Sequence, residues 1–340
     1  MSGQIDYFVR GYTGFGEVNY IESNAKEIKD IFILKAANEK TATLFLKEFI
    51  KLIDDDTVIE VIEHPDFTQA LDGVIIREKS LAILTTPFIK CVSSHSHLID
   101  LTKYTKLPVR FIAKERKSIV EKAISHFSKS LEIHQELKRI NKEEIDFKIA
   151  DEIINNFIDK EINIQPNLDK DTHVYERMLG INRDEGITDG KSDLITSIKN
   201  KVYLKGSPRI GKSYFMKQVM NEVTNKGYDI EVYRCPFNSD CIDMVIIREM
   251  NYCIVACRLN ESHKEKDHVI DLQEIVSNDA HSEEDKNLFK QLNENCNESY
   301  NLGVTELSKL QKFAGSIENS EIELTNNEVE KILKDYKVNY

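Results

Sequence analysis

The sequence predicts an α/β protein made of two similar halves, and three observations support this fold class. Short apolar runs of strand length alternate with stretches whose apolar residues recur at helical spacing. Several segments of the first half recur in the same order in the second half. Each half then ends in a helix-rich, charged stretch. Strands that alternate with helices indicate a mostly parallel sheet with both faces covered.

Length and composition narrow the class further. At 340 residues the chain exceeds the usual size of one core, so two domains are expected. The formal net charge of -12 argues against general nucleic-acid binding, which needs clustered lysine and arginine. No apolar run is long enough to cross a bilayer, and the N-terminus lacks the pattern of a signal peptide. We therefore expect a cytoplasmic protein without a membrane partner.

The internal repeat is clearest in the middle of each half. Residues 71–78 read Leu-Asp-Gly-Val-Ile-Ile-Arg-Glu and recur at 242–249 as Ile-Asp-Met-Val-Ile-Ile-Arg-Glu. Further on, His-Leu-Ile-Asp-Leu at 97–101 recurs as His-Val-Ile-Asp-Leu at 268–272. The sequence thus predicts a tandem duplication with domains at residues 1–165 and 166–340, divided where the periodicity lapses.

The charged helical arms cover about 115–159 in the first half and 283–336 in the second. Their polar faces fit either solvated helix exteriors or a surface for a protein partner. Six cysteines lie along the chain without a Cys-x-x-Cys pair, which favours reduced thiols. Cys91 with His95 and His97 has the residue types of a zinc site, but no fourth ligand lies nearby in the sequence.

The second half contains a phosphate-binding loop (P-loop) sequence between a predicted strand and a predicted helix, the context that the motif requires. Gly206 and Gly211 permit the tight backbone that lets N–H groups face phosphate oxygens. Lys212 reaches the outer phosphates in such loops, and the Ser213 hydroxyl ligates Mg²⁺. The full run is Gly206, Ser207, Pro208, Arg209, Ile210, Gly211, Lys212 and Ser213, after which Tyr214 opens the helix. We expect residues 206–214 to bind ATP or GTP with Mg²⁺. The alternative is a glycine-bearing turn with an incidental lysine.

The matching position in the first half, residues 36–43, has lost this chemistry. Ala36 and Thr41 replace the two glycines, and Ala42 replaces the lysine. Glu39 adds a negative charge that would repel a triphosphate. We expect the first half to carry a degenerate site and to serve as a scaffold that packs pseudo-symmetrically on the second half.

Catalysis is assigned to Lys212 and, as the best available acid, Asp243. P-loop hydrolases usually place a second carboxylate at the end of a neighbouring strand to hold Mg²⁺. The strand-like run 252–257 instead leads into Arg258. Asp243 fits a base or metal ligand, and it fits equally a turn residue that caps a short element. Four arginines in or after predicted strands are candidates for phosphate contacts or for surface ion pairs. They are Arg209, Arg234, Arg248 and Arg258.

These motifs resemble a poorly characterised bacterial family of tandem P-loop ATPases, often described as putative nucleotide kinases. The resemblance covers nearly the whole chain and rests on the strand-to-loop entry at 202–206, the stretch at 71–76 and the helical segments at 133–137 and 145–147. It implies two tandem P-loop NTPase-like domains. Family members carry an aspartate after the later strand, where this chain has Thr85 and Ala256. The missing aspartate counts against carrying the family's ATP hydrolysis over to this chain.

Two functions stay open at this stage. One is an enzyme, either a slow ATPase or a kinase for a small-molecule phosphoryl acceptor. The other is a nucleotide-gated interaction or scaffold protein whose helical arms meet a protein partner. Arg77 and Arg248 occupy equivalent places in the repeat, so one of them is a candidate to act across the two halves.

Overall fold

The structure is a computed structural model that describes residues 3–92, 96–104, 109–140, 144–162, 165–166, 171–206, 210–257, 268–277, 283–313 and 324–340. Within these ranges the chain is an α/β protein with two six-stranded mixed sheets, one from each half. Most strands of each sheet run in the same direction, so the predicted fold class is confirmed at this level. None of the helices described has the length and apolar character needed to cross a membrane.

The two halves present equivalent elements in the same order. The strands of the first half are β1 (Gln4–Tyr7), β2 (Arg10–Thr13), β3 (Gly16–Asn19), β4 (Asp30–Lys35), β5 (Ile59–Glu63), β6 (Leu71–Ile76), β7 (Leu81–Thr85), β8 (Ser96–Asp100) and β9 (Glu144–Ile145). Those of the second are β10 (Val174–Met178), β11 (Gly180–Arg183), β12 (Gly186–Asp189), β13 (Asn200–Lys205), β14 (Ile230–Arg234), β15 (Ile242–Ile247), β16 (Tyr252–Ala256), β17 (His268–Asp271) and β18 (Val276–Ser277). The α-helices are α1 (Ile21–Ala25), α2 (Glu39–Lys51), α3 (Val109–Ile140), α4 (Phe147–Glu161), α5 (Lys191–Thr196), α6 (Lys212–Asn225), α7 (Glu283–Ser308) and α8 (Asn326–Asp335).

Both sheets have the same strand order, β1-β5-β6-β7-β4-β8 and β10-β14-β15-β16-β13-β17. The sequence pattern predicts mostly parallel sheets without saying which strands depart from that direction; in the structure β6 and β15 are antiparallel to both neighbours. The reason is connection length. A tight turn joins β6 to β7 through Ser80, which takes a left-handed conformation (φ 50°), and Asn251 does the same after β15. Such short links make antiparallel pairs, because a parallel pair needs a crossover connection.

The inner faces of the two sheets form one continuous core. Alternation along β6 sends Ile75 into this shared core, while Val74 and Ile76 face an outer core covered by α2. On the second sheet, Met244 and Ile246 of β15 enter the same shared core. The halves are therefore joined by apolar packing, which an independent pair of domains would not show.

A buried ionic cluster lies inside this junction. Arg177 is fully buried, donates to Glu60 at 2.8 Å and lies 3.2 Å from Glu231, the equivalent residue of the other half. Arg77 binds the first of these carboxylates and Arg248 the second. We name these five residues the interface ion cluster. Its two carboxylates come from equivalent strands, so Arg177 forms an ion pair with one carboxylate from each half.

The helical arms cross between the halves. Helix α3 of the first half packs antiparallel to α7 of the second, with Ser130 bonded to Cys296 and Ser299 to His126. Helix α4 then packs on the second sheet, where Phe157 contacts Phe215 at a ring-centroid distance of 5.1 Å.

Helix α8 makes the reciprocal crossing. Its Val329 and Leu333 are buried in the outer core of the first half, together with Phe49 of α2. Thr325 and Glu328 close its N-terminus with a capping box. Each sheet is thus covered by the last arm helix of the other half, although the sequence periodicity lapses only after α4.

Candidate functional site

The P-loop residues connect β13 to α6 at the carboxyl edge of the second sheet. Strand β13 lies between β16 and β17, and both neighbours run parallel to it. After α6 the chain continues into β14 on one side of β13, whereas β17 lies on the other side. Such a switch in strand order opens a crevice at the carboxyl ends of the strands, where ligands of α/β sheets bind.

Both glycines of the loop have positive φ angles. Gly206 has φ 150° and Gly211, the residue before α6, has φ 91°. These are conformations that L residues with side chains rarely adopt. Between them, the Ile210 side chain is fully buried and fills the space under Gly206. Ser207, Pro208 and Arg209 lie outside the described residues.

Lys212 is the first residue of α6, and its ammonium lies against the start of the loop. The Nζ atom donates to the carbonyl of Gly206 at 2.7 Å and to that of Cys257 at 3.0 Å. The cation is therefore held between the loop and the residue that follows β16, at the positive end of a 14-residue helix. This location suits a group that meets phosphate oxygens.

Ser213 lies one residue deeper in α6, next to the start of β15. Its Oγ accepts from the backbone N–H of Ile242 at 3.1 Å. Thr43 makes the same contact in the first half, where its Oγ1 accepts from the N–H of Leu71 at 3.0 Å. The hydroxyl contact is thus a repeated feature of the fold, which by itself explains a serine or threonine at this place.

Asp243 directly follows Ile242 in β15, and the backbone N–H of Ile242 donates to Ser213. The carboxylate is partly buried and lies beside Cys235 at the end of the neighbouring strand. Burial first, and then the Asp243 charge, raise the pKa of the Cys235 thiol well above its usual value. Cys235 is therefore a neutral thiol at physiological pH.

Tyr214 faces helix α4, which the first half contributes. Its hydroxyl donates to Asp151 at 2.8 Å, and this hydrogen bond raises the pKa of Tyr214. Its ring contacts Phe147 edge to face, with centroids 5.8 Å apart. Nothing in the sequence pairs residues 147 and 151 with Tyr214, because they lie more than 60 residues before it, on the other side of the predicted domain boundary.

The candidate arginines have other partners. Arg234 pairs with Glu176, and Arg248 belongs to the interface ion cluster. Arg77 is bound to Glu60 and to the backbone of Asn24. These contacts give all three a structural role, whereas Arg209 and Arg258 lie outside the described residues.

The matching corner of the first half is built differently. Asn38 caps α2 by accepting from the N–H of Thr41 at 2.9 Å, and Glu39 pairs with Arg116 of α3. A cavity of about 280 Å³ lies beside it. Its lining includes Glu39, Lys40, Thr43, Lys47, Phe67 and Gln311. The loop thus ends in a side-chain cap where the second half has glycine and lysine.

Strand-end carboxylates that the sequence analysis overlooks stand on the far side of each loop. Asp271 ends β17 and lies 3.4 Å from Lys205, and Asp100 pairs with Lys35 in the first half. Hydrogen bonds from Thr102, joined by Lys35, lower the pKa of Asp100 to about 2. The repeated Ile-Asp-Leu sequence marks both residues. Both halves keep this lysine–aspartate pair, so the pair by itself does not mark a nucleotide site.

The chain matches no protein-family model, no curated protein and no solved structure. Among the described residues, no three His, Cys, Asp or Glu side chains are grouped so as to hold a metal ion. Of the three residues considered for a zinc site, Cys91 and His97 lie within the described residues and His95 lies outside them.

Proposed function

We propose that the second half binds one nucleoside triphosphate, with Mg²⁺, through residues 206–214. The observation that carries this proposal is the pair of positive-φ glycines at the two ends of the loop between strand β13 and helix α6. Lys212 and the first N–H groups of α6 supply the positive charge and donors that a triphosphate needs. This is a P-loop NTPase type of site, in keeping with the resemblance to tandem P-loop ATPases.

The bound nucleotide serves a slow ATPase or a small-molecule kinase reaction. In this role Lys212 stabilises charge on the outer phosphates, and Ser213 and Asp243 supply oxygens on the Mg²⁺ side. The position of Asp243 in the chain, next to the residue whose N–H donates to Ser213, supports this assignment. Asp243 acts either as a metal ligand or as the base that accepts a proton from the acceptor hydroxyl or water.

A second candidate is a nucleotide-gated scaffold, and one observation favours it. Strand β16 ends at Ala256 and Cys257, so the position next to the Lys212 ammonium has no carboxylate to hold Mg²⁺. Binding would then order the loop and the helices that contact it, and a protein partner would bind to the helical arms. The two candidates differ in whether phosphate is released.

Binding is tested by equilibrium titration of the full chain with a fluorescent ATP analogue. We expect one magnesium-dependent site and a loss of at least about 100-fold in affinity in Lys212→Ala, because the charge-assisted contact of a partly buried lysine with the phosphates disappears. Lys217→Ala is the matched control, since Lys217 is an exposed lysine of the same helix. Unchanged binding in Lys212→Ala would refute the site.

The Mg²⁺ assignment has its own matched pair. Ser213→Ala should weaken the magnesium dependence of binding, whereas Thr43→Ala removes the equivalent hydroxyl of the first half and should leave it unchanged.

Phosphate release, measured in wild type and in Asp243→Asn, separates the two functions. Turnover that falls in the variant supports the enzyme, and background release in both supports the scaffold.

A further inference from the structure

An exposed phenylalanine stands beside the P-loop, although its helix belongs to the first half of the chain. Phe147 opens α4 with 57% of its surface exposed and rests edge to face on Tyr214. The buried residues of α4 that hold it on the second sheet are Ala150, Ile154 and Phe157. The docking of α4 therefore does not require an aromatic ring at its first position.

The direction of α4 brings this ring to the phosphate edge of the sheet. Asp151, in the first turns of α4, meets Tyr214 at the start of α6. At the other end, the carbonyl of Ile162 accepts from Lys226, just after α6. The two helices thus run parallel, and both begin at the carboxyl edge of the strands.

The chain before α4 is fixed to the same edge. Ile145 pairs with Val276, which follows β17 on the far side of the loop from β14. Phe147 is therefore located between the start of α6 and the segment after β17. A nucleoside triphosphate carries its base at the end opposite to the outer phosphates, so its base needs a contact outside the loop. The exposed ring of Phe147, beside the first turn of α6, offers one.

We propose that Phe147 and Tyr214 form a stacking platform for the base of the nucleotide. This inference rests on the proposed function and adds a residue of the first half to the site of the second. Exposed aromatic rings bind bases by stacking, which is favourable for every base because each has a π face. The platform consequently selects a nucleoside triphosphate over an inorganic polyphosphate, and it binds ATP and GTP with similar strength.

The test compares ligands with and without a base on the full chain. Affinities for MgATP, MgGTP and magnesium tripolyphosphate are measured by calorimetry in wild type, Phe147→Ala and Phe147→Tyr. We expect Phe147→Ala to weaken both nucleotides about 10-fold, to leave tripolyphosphate unchanged, and to be rescued by tyrosine. Phe15→Ala is the matched control, because Phe15 is 50% exposed in the β2–β3 turn.

The outcomes separate the two proposals. If tripolyphosphate and ATP bind wild type equally well, or if Phe147→Ala weakens both ligands alike, the platform is refuted while the phosphate site stands. Nucleotide affinity unaltered in Phe147→Ala also refutes the platform. If wild type binds neither tripolyphosphate nor nucleotide, both proposals fail.

Discussion

Removing Arg177 should destabilise the whole molecule, because this side chain neutralises one carboxylate from each half. The guanidinium is 0% exposed, with Glu60 at 2.8 Å and Glu231 at 3.2 Å. Its plane also covers the ring of Tyr7, 3.7 Å from the ring centroid. Breaking a buried ion pair by deleting one partner typically costs about 3–5 kcal/mol, since an uncompensated charge stays buried.

The pKa of Glu60 gives a second value for the free energy that this cluster contributes to folding. Burial raises the pKa of Glu60, but the charges of Arg177 and then Arg77 outweigh burial and lower it from 4.5 to about 2. At about 1.4 kcal/mol for each pH unit, this lowering corresponds to about 3 kcal/mol of folding free energy. A lowered folded-state pKa stabilises the protein above pH 4.5, and this stabilisation is lost as the pH falls toward 2.

The assay is urea unfolding of wild type and Arg177→Met between pH 7 and pH 2.5. We expect the variant to lose about 3–5 kcal/mol at pH 7, and the difference from wild type to shrink below pH 4.5. Adding Glu60→Gln and Glu231→Gln to the variant should recover part of the loss, because the buried carboxylates are then neutral. Arg77 and Arg248 lose their partners in that variant, but both side chains are partly exposed and can be solvated.

Arg77→Met is the matched control. Arg77 also binds Glu60 but its side chain is 25% exposed, so we expect a smaller loss. An Arg177→Met variant as stable as wild type, or a difference from wild type that stays constant from pH 7 to pH 2.5, would contradict the reasoning.

Two further predictions concern the loop and the crossing helices. A Cβ on Gly206 would lie 1.7 Å from Cδ1 of Ile210, whereas one on Gly186 would meet no atom within 4 Å. Both have positive φ, so in urea unfolding Gly206→Ala should lose about 1–3 kcal/mol more than Gly186→Ala, and only Gly206→Ala should weaken nucleotide binding. A fragment from Lys170 onward lacks α4 and the inner face of the first sheet, so it should associate or unfold more readily. Sedimentation and urea unfolding test this, and a monomeric fragment as stable as the full chain would contradict it.

Local and periodic features of the fold were predictable from the sequence. The motif at 206–213 is a contiguous run, so its glycines, Lys212 and Ser213 stand out by spacing alone, and its assignment to nucleotide binding stays a prediction. Apolar alternation likewise identifies the strands and the faces that they bury. The antiparallel direction of β6 and β15 was missed because a short apolar run does not report which way its strand points; the turns at Ser80 and Asn251 decide that.

Contacts between distant parts of the chain were decided only by the tertiary structure. Phe147 and Tyr214 meet because α4 crosses to the second sheet, and Arg177 becomes structural because two equivalent strands bring their glutamates together.

The duplication itself limits the sequence argument. Two similar halves offer similar apolar faces, so a pattern that fits an arm helix to one sheet fits it to the other as well. Swapped and unswapped arrangements bury nearly the same side chains. The antiparallel packing of α3 on α7 determines where each arm continues. As a result, α4 packs on the second sheet and α8 packs on the first.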